Sequence, residues 1–186
     1  MSSFEPDYSI CSFNGEVGNR SVAFQVKGDP LPQLRMKYTH QNKYHDPHGR
    51  LKQKFSIAVE ALLVYMGILI RPFFPLNMQV GIKLVYVLPR PNYHFVGSNR
   101  DGGVVKEEFA CRNVGYNNRQ GDIDNLIKFT LDSISRRLVL MNDKQVVRVE
   151  AVKMFESTNE GGLTTIEVYE WHQNDVKWYL PIRDVN

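Results

Sequence analysis

The stretch GDIDNLIKFTLDSI places carboxylates at the point where a helix is about to begin. Asp122 and Asp124 lie one residue apart, so in an extended chain their side chains point the same way. From Asp124 onward, Lys128 and Asp132 follow at intervals of four residues and can share one helical face with it. Apolar residues between them predict the opposite face to be buried. The pattern therefore predicts a helix with charged groups along one exposed edge.

A further carboxylate, Asp143, precedes a predicted strand. A chain that runs out along a helix and back along a strand can return Asp143 to the start of the helix, beside Asp122 and Asp124. Three converging carboxylates repel one another unless a cation or protons neutralise them. Mg²⁺ is a common solution, and it can clamp a phosphodiester and activate the attacking water. Lys128 would then bear on the charge developing on the phosphoryl oxygens.

The same residues also have a purely structural interpretation. Asp124 can be the residue that caps the helix, with Asp122 favoured by the positive end of the helix dipole. Lys128 can pair with Asp124 or Asp132 on the surface, and Asp143 can be a turn residue. The spacing alone leaves both interpretations open.

The periodicity of the remaining chain predicts a single α+β domain. Strands are predicted at 21–27 and 78–89, helices at 51–67 and 124–139, and a hairpin at 144–156 and 162–171. Two helices against one mixed or antiparallel sheet is the simplest layering of these elements. We expect a loosely ordered lead-in at 1–20, a folded domain at 21–171 containing a long loop at 90–120, and a tail at 172–186.

Composition and length exclude several classes of protein. The chain has 186 residues, enough for one domain with a core. Its longest apolar run, at 61–70, is too short to span a bilayer, so we expect no membrane partner. The polar N-terminus carries no secretory signal, and two distant cysteines, Cys11 and Cys111, suggest neither disulfides nor zinc. We expect an intracellular, reducing compartment, either cytoplasmic or nucleoid or nuclear.

Positive charge is concentrated in one segment. Residues 27–54 hold seven Lys or Arg against two acids, whereas the whole chain has a net charge of only +3. A phosphate backbone is one natural partner for such a patch, and a solvated surface loop is the alternative. Charge alone leaves both possibilities open.

The acidic stretch, together with MNDKQVVRVEAVKMFE, resembles the motif of the RusA-like Holliday junction resolvases. Those proteins carry D-x-D-N-L-x-K-x-x-x-D-A, then D-D-x-Q-V, then a strand that ends in a lysine. The residues that match are Asp122, Asp124, Asn125, Leu126, Lys128, Asp132, Asp143, Gln145, Val146 and Lys153. A weaker match runs from Gly28 to Asp46, so the resemblance covers about 22–171.

The resemblance implies a RusA-like fold and a Mg²⁺-dependent endonuclease, with Mn²⁺ as a substitute, that cuts four-way DNA junctions in recombination and repair. Asp122, Asp124 and Asp143 would hold the metal, and Lys128 would be the catalytic lysine. The products would be nicked duplexes with 5′-phosphate and 3′-hydroxyl ends. A homodimer suits the two-fold symmetry of a junction, because resolution needs two paired cuts. The candidate phosphate contacts are Arg35, Lys37, Lys43, Arg119 and Lys153, and Asn125 and Asp132 would support the site.

Three residues depart from the family pattern. Gly121 stands where a basic residue or proline is common, Ser133 replaces alanine, and Asn142 replaces the first aspartate of the later pair. Gly121 and Asn142 keep open the possibility of a catalytically silent junction-binding protein. A nuclease that cuts flaps or forks as readily as junctions is the other alternative.

Overall fold

A computed structural model describes residues 4–34, 37–38, 44–68, 72–97, 103–111, 121–135, 138–157 and 161–172. Two helices cover one face of a mixed five-stranded sheet, which confirms the predicted α+β class. In spatial order the strands are β1 (Glu5–Asn14), β2 (Ser21–Lys27), β9 (Leu163–Glu170), β5 (Val80–Leu88) and β8 (Val146–Phe155). Two small sheets join β3 (Lys37–Tyr38) to β4 (Tyr44–His45) and β6 (Phe95–Val96) to β7 (Val104–Val105).

The predicted hairpin of 144–156 with 162–171 is wrong, because β5 lies between these strands. It pairs in parallel with β8 and antiparallel with β9. The connection from β8 to β9 crosses the end of β5 and is fixed there by Glu156. The Glu156 N–H donates to the Leu88 carbonyl, and the Glu156 carboxylate accepts from the N–H groups of Arg90 and Gly161.

The first strand lies in the predicted lead-in, so the expectation of loose order is wrong for residues 5–14. β1 pairs antiparallel with β2 and forms one edge of the sheet. Just before it, Phe4 is buried, with its ring 5.1 Å from Phe55 and 6.0 Å from Phe129. The N-terminal segment therefore contributes to the core instead of only preceding it.

Both predicted helices form, with shifted ends. α1 (Gly49–Tyr65) buries Phe55, Val59 and Leu62 against the sheet. α2 (Ile123–Ile134) is shorter than the predicted 124–139, because Ser135 is already extended at ψ −165°. The chain beyond it stays close to the end of the helix: the N–H of Val139 bonds to the Ile134 carbonyl.

The predicted loop at 90–120 contains short elements in its described parts, 90–97 and 103–111. Besides β6 and β7, it forms single turns of 3-10 helix at Asn92–His94 and Glu107–Phe109. Buried Arg90 fixes it by donating to the carbonyl oxygens of Glu156 and Phe109, at 2.7 and 2.6 Å. The predicted tail lies outside the described residues after His172. None of the described helices is both long enough and apolar enough to cross a membrane.

Candidate active site

The start of α2 presents two carboxylates to solvent. Asp122 is the N-cap residue, with φ −77° and ψ 150°, but its side chain makes no capping hydrogen bond. Asp124 lies in the first turn, and both residues are exposed. The structural interpretation gave the cap to Asp124 and is wrong on that point. Neither carboxylate caps the N-terminus of α2 through a hydrogen bond. The positive end of the helix dipole nevertheless favours their negative charge.

The backbone that carries these carboxylates is fixed from two sides. Gly121 has φ +90°, and a Cβ atom there would lie 2.5 Å from the Cβ of Pro32. Lys153, on β8, donates from Nζ to the Gly121 carbonyl at 3.1 Å. The N–H of Gln33 donates to the carbonyl of Asn125 at 2.8 Å. Glycine at 121 is therefore required by a positive φ and by close contact with the segment after β2.

Lys128 lies on the exposed side of α2, one turn after Asp124. On the opposite side, Leu126, Phe129 and Thr130 are buried. Thr130 shares a 3.0 Å hydrogen bond with the hydroxyl of Tyr86, and burial raises the pKa of that tyrosine. Among the described side chains, no ion pair joins Lys128 to Asp124 or Asp132. The surface-pair interpretation of Lys128 therefore has no contact in its favour.

Asp132, predicted as a supporting residue, binds Lys52 of α1 at 2.6 Å. Lys52 also binds Asp46 at 2.9 Å, and its side chain is only 7% exposed. The ammonium group thus joins α1, α2 and the loop before α1. Burial acts to raise the pKa of Asp46, but hydrogen bonds from Lys52 and from the His48 N–H outweigh it, so the pKa is lowered.

Sequence reasoning treated Lys52 only as part of the basic segment and missed this role. A signal was present, since Lys52 precedes Phe55, Val59 and Leu62 at spacings of three, four and three, which is the buried stripe of α1. A lysine in that stripe needs a buried anionic partner.

Asp143 is held in a rigid turn before β8. It begins the 3-10 turn Asp143–Gln145, whose N-cap is Asn142. The Asn142 side chain accepts from the Lys144 N–H, and the Gln145 side chain accepts from the Asn142 N–H. Gln145 is buried and donates to the carbonyl of Pro75 at 2.6 Å. The amide at 142 therefore has a structural role, and Asp143 is left exposed.

Within one chain, α2 and β8 run in opposite directions, so Asp143 does not return to the start of α2. Lys153 returns there instead, as its bond to Gly121 shows. Between Val146 and Lys153 lie roughly 20 Å of strand, at about 3.3 Å per residue. In the described part of the chain, no three His, Cys, Asp or Glu residues are grouped so that they could hold a metal ion. The expected convergence of the three aspartates is therefore not met within a single copy.

The remaining predicted residues are only partly described. Arg35, Lys43 and Arg119 lie outside the described residues, and Lys37 is described only as part of β3. Lys153 contacts Gly121, as above. The assignment of these residues to DNA remains a prediction.

Asp122 and Asp124 carry carboxylate oxygens, which are suitable ligands for Mg²⁺. Hard cations take oxygen ligands, and Mg²⁺ in proteins commonly uses one or two carboxylates while water and substrate phosphate complete the octahedron. Two exposed carboxylates, separated by one residue on a fixed helix start, fit that requirement. A third carboxylate, Asp143, has the same chemistry and exposure but lies at the other end of α2.

Comparison of the sequence with models of known protein families identifies a family for this chain. Residues 27–169 match the family model described as endodeoxyribonuclease RusA. The match spans more than three quarters of the chain and includes both helices and the strands from β3 to β8 in full. The chain therefore belongs to the RusA endodeoxyribonuclease family, which confirms the resemblance and supports an endodeoxyribonuclease activity. No curated protein matches the chain.

Proposed function

We propose that this protein is a Mg²⁺-dependent endodeoxyribonuclease that resolves four-way DNA junctions by paired, symmetric nicks. The family supports cutting of DNA, and its members act on junctions. Metal dependence, junction preference and the roles of individual residues are our proposal.

The observation that carries the proposal is the fixed start of α2. Asp122 and Asp124 are exposed there without a capping or ion-pair partner among the described residues, although Pro32, Gln33 and Lys153 hold the backbone beneath them. A purely structural helix start would gain more from using one of these carboxylates as a cap. Fixed backbone under free carboxylates is what a metal site needs.

In this proposal, Asp122 and Asp124 hold Mg²⁺, and Asp143 would join them only from a second copy of the chain, because within one copy it lies at the other end of α2. The bound ion would neutralise phosphate charge and activate water for attack on phosphorus. Lys128 places its ammonium group near the phosphoryl oxygens and stabilises the negative charge that develops on them. The helix dipole at the start of α2 adds a further positive potential.

We propose that basic residues bind the phosphates of the DNA backbone. Arg35, Lys37, Lys43 and Arg119 would contact phosphates, which position a substrate without reading its sequence. Binding should therefore weaken steeply with salt, since each phosphate contact releases counterions. A homodimer would supply the two active sites that paired cuts require.

The testing experiment is cleavage of a labelled four-way junction with Mg²⁺ or with EDTA. Wild type is compared with Asp124→Asn and with Glu16→Gln, a control that removes an exposed acid from the β1–β2 turn. We expect symmetric paired nicks from wild type and Glu16→Gln with Mg²⁺, and none with EDTA. Asp124→Asn should bind the junction as well or better, because a charge that repels phosphate is gone, and should not cut. Cleavage by Asp124→Asn at the wild-type rate would disprove the metal assignment.

The same assay separates the two alternatives. A silent junction-binding protein would bind the four-way DNA and leave it intact with either Mg²⁺ or Mn²⁺. A nuclease of broader substrate range would cut Y-shaped or flap DNA as fast as junctions in direct competition, with linear duplex as the negative control.

Lys128→Ala tests the lysine in the same way, with Lys54→Ala on α1 as its control. We expect cleavage to fall roughly 100-fold, as when one group that stabilises transition-state charge is removed. The melting temperature should not change, since Lys128 is exposed. A lower melting temperature with normal cleavage would restore the surface-pair interpretation.

A further inference from the structure

The small sheet of β6 and β7 carries apolar side chains on both of its faces. Phe95 pairs with Val105, and Val96 pairs with Val104. Phe95 is buried, so its face of the sheet is turned toward the protein, whereas Val96 and Val104 are 63% and 74% exposed. A sheet with one face in water usually carries polar side chains on that face. Packing within this chain therefore does not account for the outward pair of valines.

Tyr93 adds an exposed aromatic ring directly before β6. It lies in the 3-10 turn Asn92–His94 and is 64% exposed. Its ring nevertheless contacts two others, with centroids 4.5 Å from His94 and 5.6 Å from Phe109. The ring is therefore held in place by packing while most of its surface remains accessible.

Buried groups attach this segment firmly to the end of β8. Arg90 is buried and donates to the carbonyl oxygens of Glu156 and Phe109. His94 is also buried, and its ring centroid lies 5.1 Å from that of Phe155 on β8. A surface that is already ordered loses little conformational entropy on binding, so the exposed side chains are well suited to contact a partner.

The same attachment places the segment beside the start of α2. Lys153 and Phe155 are two residues apart on β8, so their side chains leave the same face of the strand about 7 Å from each other. Phe155 contacts His94, and Lys153 donates to the carbonyl of Gly121, the residue before Asp122. DNA bound at the proposed metal site would therefore lie close to the exposed side chains of this segment.

The charges next to β7 indicate which part of DNA this segment could contact. Lys106 is followed by two exposed acids, Glu107 and Glu108. These acids would repel a phosphate backbone, so the segment is a poor general phosphate-binding surface. Base faces carry no net charge, and they pack against aromatic rings and apolar side chains. Bases are therefore the part of DNA that fits this surface.

We propose that Tyr93, Val96 and Val104 form a base-contacting surface, which packs against bases exposed at the branch point of the DNA substrate. This inference rests on the proposed function, because it assigns how the same site meets branched DNA. The stack of base pairs is interrupted at a branch point, so base faces are exposed there, whereas a linear duplex covers them. The surface would thus favour branched over linear DNA without reading its sequence.

Binding measured with EDTA, so that nothing is cut, tests the base-contacting surface. The variants are Tyr93→Ser and the double change Val96→Ser with Val104→Ser. Their controls are Tyr65→Ser on α1 and Val17→Ser in the β1–β2 turn, which alter similarly exposed residues elsewhere. We expect each variant to bind a four-way junction about tenfold more weakly, as when one stacked base loses its platform, and to bind linear duplex as wild type does. The controls should bind both DNAs normally.

Unchanged junction affinity in the variants, or an equal loss with linear duplex, would overturn the proposal. The salt dependence of binding should stay the same, because no phosphate contact is removed. Melting temperatures report whether the variants fold. If the double serine variant does not fold, Val96→Thr with Val104→Thr keeps the branched shape that suits a strand and provides the test.

Photocrosslinking locates the contact directly. A 5-iodouracil base is placed either at the branch point or in the middle of an arm, and the crosslinked peptide is identified by mass spectrometry. We expect the branch-point probe to crosslink the peptide that contains Tyr93, and Tyr93→Ser to lose that crosslink. An equal yield from the arm probe, or crosslinks only at other peptides, would contradict the base-contacting surface.

These outcomes separate the inference from the proposed function. Junction binding that is weakened in the variants, with no cleavage by wild type in Mg²⁺, would support the base-contacting surface and refute the nuclease proposal. Junction cleavage by wild type, with normal junction binding by all the variants, would support the nuclease and overturn the base-contacting surface.

Discussion

The ammonium group of Lys153 lies 3.1 Å from the carbonyl oxygen of Gly121, so the edge strand β8 is tied directly to the start of α2. Lys153 was predicted to contact DNA, and its position in the fold gives it a second role. By bonding to the backbone just before Asp122, it fixes where the proposed metal ligands project.

Lys153→Met removes this bond while keeping most of the side-chain volume. We expect faster amide hydrogen exchange at residues 122–126 and a loss of about 1 kcal/mol in the free energy of unfolding. Junction cleavage should fall more than junction binding, because the ligands would be less well placed. Hydrogen exchange by mass spectrometry, without DNA, measures the effect.

Lys27→Met is the control, since Lys27 is also a lysine on a strand and its ion pair, with Asp7 at 3.5 Å, does not involve α2. If Lys153 instead mainly contacts phosphate, exchange will not change and the salt dependence of junction binding will drop by about one unit of slope.

Gly121→Ala tests whether glycine is required before Asp122. Alanine is strained at φ +90°, and its Cβ would overlap Pro32, so the start of α2 must shift. We expect a loss of about 2 kcal/mol in the free energy of unfolding and a marked loss of cleavage. Thermal and denaturant unfolding give the first quantity.

Two other glycines separate the causes. Gly18 also has a positive φ, +92°, but has nothing within 4 Å of its Cβ position, whereas Gly15 is open without that positive φ. Gly15→Ala should be nearly neutral, and Gly18→Ala should show the backbone strain alone. If Gly121→Ala costs no more than Gly18→Ala, contact with Pro32 is not what selects glycine.

Lys52→Met tests the ion-pair contact between α1 and α2. It leaves Asp46 and Asp132 without their shared partner, and we expect a loss of about 2–3 kcal/mol in the free energy of unfolding at pH 7. The exposed Lys54→Met is the matched control and should change little. A neutral result for Lys52→Met would mean that helix packing alone sets the position of α2.

The lowered pKa of Asp46 gives this cluster a pH signature. Because the folded-state pKa lies below the ordinary value of 3.8, the unfolded chain binds the proton more readily. The stabilisation is present above 3.8 and is lost as the pH falls through the folded-state pKa. Asp46→Asn should therefore be less stable than wild type at pH 7 and should lose less stability on acidification below pH 4.

The periodicity of apolar residues correctly predicted the strands and helices whose buried side chains recur at regular intervals along the chain. β2 and β5 alternate or stay apolar along their length, and α1 carries a regular buried stripe. β1 escaped prediction because it exposes most of its side chains and gains its place by pairing with β2. The position of β5 between β8 and β9 is likewise a matter of pairing, which no single strand encodes.

The site was predictable in its chemistry but not in its geometry. The spacing of Asp122, Asp124 and Lys128 was enough to predict that their side chains are exposed together, because the side-chain periods of strands and helices are local properties. The location of Asp143 depends on how the chain turns after α2, and the need for Gly121 depends on Pro32, almost ninety residues earlier. Contacts between distant segments decide such features, so the sequence pattern alone could not supply them.

His94 is buried beneath the loop that contains β7. Its ring stacks on Phe109 at 4.1 Å, and its carbonyl accepts from the Lys106 N–H. Burial, and then the charges of Arg90 and Lys106, lower the pKa of His94 below its usual 6.5. Protonation in the folded state therefore places a third positive charge among the groups that fix residues 103–111.

Acidification should loosen this loop. Since the folded-state pKa of His94 lies below 6.5, its contribution to stability is complete above that pH and is lost as the pH falls through the folded-state value. We expect amide exchange at 103–111, corrected for the intrinsic effect of pH, to rise between pH 7 and pH 5 in wild type. His94→Phe keeps a stacking ring and should remove the rise, while His45→Phe, at an exposed histidine, should not. The same pH dependence in His94→Phe would assign the loosening to another group.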